Sequence, residues 1–162
     1  MGKVIKKFGD DISTDIIYPG RFMATVLPSE TPEYAFADDA ELNNRLRSGA
    51  FDRGDIILGG QNFGSGSSRE QAASTLKGYE LVIVAKGFSR IFLQNAINLG
   101  LQTVDCPMIE AGEGDELELT ETMVINKSAG KQYAIHPLPE ARKSIVEAGG
   151  LIPYTKKRLM EG

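Results

Sequence analysis

The alternation of apolar and polar positions along the chain predicts an α/β domain. Four strands are expected in the first two thirds of the sequence, at residues 3–8, 55–58, 81–85 and 103–106. The last three are apolar without regular alternation, as is typical of strands buried on both faces of a parallel sheet. Helical spacing follows two of these strands, at residues 70–77 and 89–99. Because helices usually connect neighbouring parallel strands, this order predicts one parallel unit.

The remaining third predicts a hairpin and a closing helix. Residues 116–125 alternate in part and are expected to pair with residues 131–135. Pro139 is expected to begin the last helix, which Gly149 ends. Residues 26–48 contain two prolines and a single short helical stretch, so they predict a long mobile excursion. The 162 residues are about one domain in length and show no linker or repeat, so a single domain spanning residues 1–162 is expected.

Composition and charge exclude several classes of function. A net charge of −4 gives no reason to expect nucleic acid or an acidic membrane as a partner. Cys106 and His136 are the single residues of their kinds, so the chain has no cysteine- or histidine-rich metal site. The first ten residues carry three lysines without an apolar stretch, and no apolar run is long enough for a bilayer. These features predict a cytoplasmic protein.

The candidate chemistry is concentrated in a glycine-rich turn at residues 59–70, GGQNFGSGSSRE. The turn joins a strand to a helix start, where free N–H groups and the helix dipole attract anions. It matches neither the dinucleotide nor the P-loop phosphate motif, nor the G-x-S-x-G nucleophile motif. Arg69, which follows Ser67 and Ser68, instead favours a carboxylate. The structural alternative is a tight connection in which Ser68 caps the helix and Arg69 forms an ion pair.

Two other polar groups are candidates for the same site. Asp15 could orient an arginine or accept a proton, and Arg21 could meet a second carboxylate. An Asx turn followed by an exposed arginine explains the same residues without a site. Further along, Ser89 predicts the N-cap of a helix, whose Arg90 faces either the site or the solvent.

Together, three motifs of the chain resemble the aconitase superfamily. They are the Gly-Ser-Ser-Arg-Glu turn at 66–70, the Asp-Asp-Ile-Ser-Thr-Asp turn at 10–15, and the Phe-Ser-Arg-Ile-Phe…Asn helix start at 88–95. They occur in the family's order and separations, and the length is similar to that of the free-standing small subunits of 3-isopropylmalate dehydratases. The resemblance implies a swivelling β/β/α fold of the aconitase C-terminal domain type. It also implies a separate large subunit that carries a [4Fe-4S] cluster, with no metal or cofactor in this chain.

The resemblance further implies roles for individual residues. Ser67 would be the catalytic base, working as an alkoxide, and Asp15 would arrange the acid–base network. Ser68 and Arg69 would hold a carboxylate of a 2-hydroxy dicarboxylate substrate. The chemistry implied is dehydration to an enoate followed by rehydration, in a cleft between the two subunits.

Substrate choice is expected to depend on the loop that contains Arg21, Phe22, Met23 and Ala24. Homoaconitase-type small subunits carry Tyr-Leu-Arg-Thr after the shared Pro-Gly-Arg, whereas this chain carries Phe-Met-Ala-Thr. An apolar surface there favours a branched alkylmalate over a tricarboxylate, and hence the isopropylmalates of leucine biosynthesis. Dimethylmalate, citramalate or citraconate, and homoaconitate stay as alternatives, as does a non-enzymatic anion-binding module. A homo-oligomer of the isolated chain is also left open.

Overall fold

In the computed structural model, which describes residues 1–161, seven strands form one mixed sheet. In chain order they are β1 (Gly2–Lys7), β2 (Ile56–Gly59), β3 (Val82–Ala85), β4 (Thr103–Asp105), β5 (Glu116–Leu119), β6 (Met123–Asn126) and β7 (Lys131–Ala134). Their order across the sheet is β4-β3-β2-β1-β5-β6-β7. The pairs from β1 to β4 are parallel, whereas β1 pairs with β5, and β5 to β7 with one another, in antiparallel fashion. Strand β1 therefore joins a parallel half to an antiparallel meander.

Helices lie between the parallel strands and at the end of the chain. They are α1 (Thr14–Ile17), α2 (Ala40–Ser48), α3 (Glu70–Gly78), α4 (Arg90–Leu99), α5 (Glu140–Glu147) and α6 (Leu151–Glu161). The predicted cap of α4 is confirmed, because the Ser89 side chain accepts a hydrogen bond from the N–H of Phe92. Gly100 ends the same helix in the left-handed region, with φ of 78°. In residues 1–161, no helix is long and apolar enough to cross a membrane.

Both faces of the parallel strands are buried, which explains their unbroken apolar sequence. On one face Ile57 and Ile83 contribute to a core that includes residues of α2, α3 and α4. On the other face Ile56 and Val84 lie in a second core, together with Leu117 and other residues of the meander. Successive side chains of a strand point to opposite faces, so each strand supplies both cores. The meander thus covers the face of the sheet that α3 and α4 leave open.

Three expectations about the elements are corrected. The predicted strand 116–125 is two strands, β5 and β6, because a turn at residues 120–122 reverses the chain. The excursion 26–48 is part of the core rather than a detached loop, since Ala35, Phe36 and Leu46 are buried. Helix α6 was not predicted at all: its sequence contains Pro153, but a proline in the first helical turn is tolerated.

Candidate functional site

The loops that follow β1, β2 and β3 join at the carboxyl edge of the parallel strands. The N–H of Gly64 donates to Ile12 O at 2.7 Å, and the N–H of Thr14 donates to Ser65 O at 2.7 Å. From the third loop, the Ser89 hydroxyl donates to Gly64 O at 2.8 Å. Ligands of parallel sheets bind beyond this edge. The geometry therefore brings the three sequence motifs into contact with one another.

The glycines of the turn have a steric purpose. Gly64 and Gly66 have φ of 84° and 94°, in the region that side chains disfavour. A Cβ atom on Gly64 would overlap the ring of Phe92, which is buried beneath the turn. The turn thus packs directly on the core at Gly64, whereas Ser67 and Ser68, which follow in the turn, are exposed.

Ser67 and Ser68 are exposed at the end of the turn. Helix α3 begins at Glu70 with Arg69 as its N-cap residue and without a side-chain capping bond. The structural alternative is therefore wrong in its first part, the cap by Ser68, whereas its second part, an ion pair of Arg69, is present. Close to Ser67 lies Thr14, whose hydroxyl donates to Ser67 O at 2.9 Å and lies 3.4 Å from Ser67 Oγ. Sequence reasoning missed Thr14, although it belongs to the second motif.

The backbone donors of the turn are divided into two groups. The N–H groups of Gly64 and Ser65 both donate to Ile12 O. The N–H groups of Gly66, Ser67 and Ser68 have no acceptor within residues 1–161. Only this second group is therefore available to an anion at the turn, which is a smaller set than residues 64–68 would supply.

Arg69 and Asp15 form the central ion pair of the site. The Arg69 Nη1 atom lies 2.7 Å from Asp15 Oδ1 and also donates to Tyr18 O at 3.3 Å. The side chain of Arg69 is only 16% exposed, whereas that of Asp15 is 65% exposed. The carboxylate accepts a further bond from the N–H of Gly20 at 2.9 Å. One of the two roles weighed for Asp15, the orientation of an arginine, is thus present in the structure.

The same contacts determine the charge of Asp15. The hydrogen bond from Arg69, followed by that from Gly20, lowers the pKa of Asp15 below its usual 3.8. A lowered carboxyl pKa means that the pair stabilises the fold above pH 3.8, and that this stabilisation is lost as the pH falls through the lowered value. Asp15 is consequently ionised at every pH at which the protein would work. Its ion pair with Arg69 is therefore kept over the same range of pH.

The next loop begins at the same ion pair and is fixed by several contacts. The Tyr18 hydroxyl donates to the carbonyl oxygens of Phe22 and Thr25 at 3.0 and 3.1 Å. The Gln71 side chain on α3 donates to Met23 O at 3.2 Å. These bonds hold the loop beside the start of α3. The predicted specificity residues therefore lie near Arg69.

The four predicted residues of this loop differ in their surroundings. Arg21 forms a two-pronged pair with Asp38, which raises the pKa of Arg21, so its guanidinium already has a carboxylate partner. Phe22 stacks on the ring of Tyr34 with centroids 4.1 Å apart. Met23 and Ala24 are exposed and form the free apolar surface of the loop. The substrate-binding roles of the four residues stay predictions.

Cys106 and His136 lie outside this site. Burial raises the pKa of the Cys106 thiol to about 11, which is the behaviour of a small apolar core residue. The backbone N–H of His136 donates to the backbone oxygen of Asp105 at 2.8 Å, at the end of β4. In the part of the chain that the structure describes, no group of three or more His, Cys, Asp or Glu residues could hold a metal ion.

A surface cavity lies away from the site. Its volume is about 970 Å³, and it is lined by residues such as Leu81, Gln102, Leu119 and Val146. None of the predicted site residues borders it.

Known proteins are similar to this chain in sequence and in fold. The model of the aconitase C-terminal domain family matches residues 11–108. The 3-isopropylmalate dehydratase small subunit of Thermodesulfovibrio yellowstonii is 40% identical over 98% of this chain and 94% of its own length. Small subunit 1 of the Archaeoglobus fulgidus enzyme is 42% identical over 93% of each chain. The crystal structure of a 3-isopropylmalate dehydratase from Methanocaldococcus jannaschii has a TM-score of 0.87, 35% identity, and covers 98% of this chain and 94% of that one.

The chain therefore belongs to the aconitase C-terminal domain family, and the predicted swivelling fold class is confirmed. Within that family it groups with the small subunits of 3-isopropylmalate dehydratases, which it matches over nearly their whole length.

Proposed function

We propose that this chain is the small subunit of a 3-isopropylmalate dehydratase, a hydro-lyase that interconverts 2-isopropylmalate and 3-isopropylmalate in leucine biosynthesis. One observation carries the proposal: an exposed serine, Ser67, adjoins an ion-paired arginine, Arg69, on the family's turn. The relatives that bear this name support the choice of reaction and substrate. We place the protein in the cytoplasm, as a biosynthetic enzyme, and treat its whole length as one domain.

A large subunit is part of the proposal. Six large apolar side chains, between 45% and 73% exposed, lie in segments that follow the carboxyl ends of β1, β3 and β4: Ile16, Met23, Val26, Leu27, Ile91 and Met108. The other exposed large apolar side chains are Met1 and four residues of α6. Several exposed apolar groups beside a polar site are typical of a surface that a partner covers. We therefore assign this surface to the large subunit, which would complete the site above Ser67.

The [4Fe-4S] cluster is assigned to that partner. The buried Cys106, with its raised pKa, is unsuited to ligate iron, and the described residues hold no metal-binding group. Bound to the partner, such a cluster would supply Lewis acidity toward the hydroxyl group that leaves the substrate.

The residues of this chain would contribute the base and the carboxylate site. Ser67 Oγ, as an alkoxide, would accept the proton from the carbon next to a substrate carboxylate, and would return it during rehydration. A serine hydroxyl needs strong stabilisation of its charged form, which the free N–H groups of Gly66 to Ser68 and the start of α3 can give. Arg69, held by Asp15, would bind a substrate carboxylate from the side.

The proposal is tested by reconstitution with the large subunit of the same organism under anaerobic conditions. We expect turnover of 2- and 3-isopropylmalate by the pair and none by either chain alone, measured by formation of the enoate intermediate and of product. Dimethylmalate, citramalate and homoaconitate complete the substrate panel. Turnover by the isolated chain would contradict the two-subunit assignment. A clear preference of the pair for another acid of the panel would contradict the assigned substrate.

Substrate choice gives a second prediction, at Ala24. This residue is exposed on the loop next to α3, where an arginine could reach a third carboxylate. We expect Ala24→Arg to lower kcat/KM for isopropylmalate and to raise that for homoaconitate, with a combined change in preference of roughly 10-fold or more. The measurement is competition between the two substrates in the reconstituted enzyme. Ala141→Arg, an equally exposed site on α5, is the matched control, and an unchanged preference in Ala24→Arg would exclude this loop as the source of specificity.

A further inference from the structure

Thr14 anchors the turn from which Ser67 projects. Its side chain is buried, with the residue only 2% exposed. Its N–H donates to Ser65 O at 2.7 Å and its hydroxyl donates to Ser67 O at 2.9 Å. The two bonds fix the backbone on both sides of Gly66, whose positive φ reverses the chain there. The position of Ser67 thus depends on Thr14.

The Thr14 hydroxyl also adjoins the Ser67 hydroxyl. Their Oγ atoms are 3.4 Å apart, which is longer than the roughly 2.7–2.8 Å usual between hydroxyl groups. A hydroxyl has a single hydrogen, and Ser67 O, at 2.9 Å from Thr14 Oγ1, is the nearer acceptor for it. Catalytic hydrogen bonds are often long without substrate and shorten in the reacting complex. At 3.4 Å the two oxygens are close enough for such a bond to shorten in the reacting complex.

We propose that Thr14 is a positioning residue that turns its hydroxyl hydrogen from Ser67 O to Ser67 Oγ when that oxygen becomes an alkoxide. This inference rests on the function proposed above for Ser67. An alkoxide accepts a hydrogen bond more strongly than a neutral carbonyl oxygen does. The Thr14 hydroxyl therefore donates to Ser67 Oγ while that atom carries the negative charge. Thr14 keeps its proton throughout. Once Ser67 has taken the substrate proton and is neutral, the hydrogen of Thr14 returns to the carbonyl oxygen.

Thr14→Val tests the inference because valine keeps the shape and removes the hydroxyl. In the reconstituted enzyme we expect kcat to fall roughly 10- to 30-fold with KM changed less than about 2-fold. The acidic limb of the pH profile of kcat/KM should also move to higher pH, because a base that loses a hydrogen bond to its charged form has a raised pKa. In Thr14→Ser, which keeps the hydroxyl, the acidic limb should lie at the same pH as in the unmodified enzyme.

Thr75→Val is the matched control. Thr75 is fully buried on α3, and its hydroxyl likewise donates to a carbonyl oxygen, that of Thr31 at 2.6 Å. Loss of this bond is expected to lower stability without moving the acidic limb. If Thr14→Val does not fold, Thr14→Cys, with its weak thiol donor, is expected to move the limb in the same direction.

The outcomes separate this inference from the proposed function. An unchanged kcat and acidic limb in Thr14→Val, with Ser67→Ala inactive, would overturn the inference and leave the base role of Ser67 intact. An equal shift of the limb in Thr75→Val would also overturn it, since the effect would then be one of general destabilisation. Full turnover in Ser67→Ala would instead overturn the function from which the inference starts.

Discussion

Ser67→Ala is expected to lower kcat of the reconstituted enzyme by at least ~100-fold, because it removes the proposed base. The side chain is exposed, and alanine fits the turn without contact to the core. Folding and association with the large subunit should therefore be unchanged. The measurements are steady-state turnover of both isopropylmalates and the melting temperature of the variant.

Ser48→Ala is the matched control for this substitution. Ser48 is exposed at the end of α2, and its hydroxyl bonds only to the nearby Arg45 O, so no loss of turnover is expected. A decrease of less than about 100-fold in Ser67→Ala would remove Ser67 from the role of base. If Ser67→Ala also failed to bind the large subunit, the lower turnover would be due to loss of assembly and not to loss of the base.

Arg69→Lys is expected to lower kcat/KM by roughly 100-fold, chiefly through a higher KM. A guanidinium can bond Asp15 and a substrate carboxylate side by side, whereas an ammonium is a single compact charge without the planar fork. Charge-assisted bonds contribute about 1.5–3 kcal/mol each, which corresponds to this range of affinity. The measurement is KM for each isopropylmalate, together with the inhibition constant of a simple dicarboxylate.

Arg53→Lys is the control for Arg69→Lys. Arg53 is also ion-paired, with Glu80, but it is 80% exposed. It precedes β2 and so lies at the amino-terminal ends of the parallel strands, whereas the turn lies at their carboxyl ends. Surface pairs of this kind contribute little, so its kinetic constants should not change. If KM in Arg69→Lys also stayed unchanged, Arg69 would be a structural partner of Asp15 and not a substrate ligand.

Local sequence signals predicted the parts of the site that are encoded by neighbouring residues. Ser89 at a helix start and Gly100 at its end have preferences that act within a single turn, and both predictions are confirmed. The glycines of the turn carry a similarly local requirement for positive φ, as seen at Gly64 and Gly66. This is why the site could be located before its neighbours in space were known.

Contacts between distant residues could not be predicted in the same way. The pairing of Arg21 with Asp38 joins two ordinary charged residues that no local pattern links. The role of Thr14 depends on a turn more than fifty positions away, and the sequence identifies it only as one hydroxyl in a polar stretch. The division of 116–125 into two strands was missed because a loosely alternating segment does not show where the chain reverses.

The central place of β1 in the sheet has a consequence for the order of folding during synthesis. This strand is synthesised before both of its neighbours, since β2 lies some fifty residues later and β5 more than a hundred. Such distant pairings close slowly and expose unpaired strands until they form. Both edges of β1 are therefore covered only after β5 has been synthesised, so an unpaired edge of this strand stays open through the synthesis of the parallel half of the sheet.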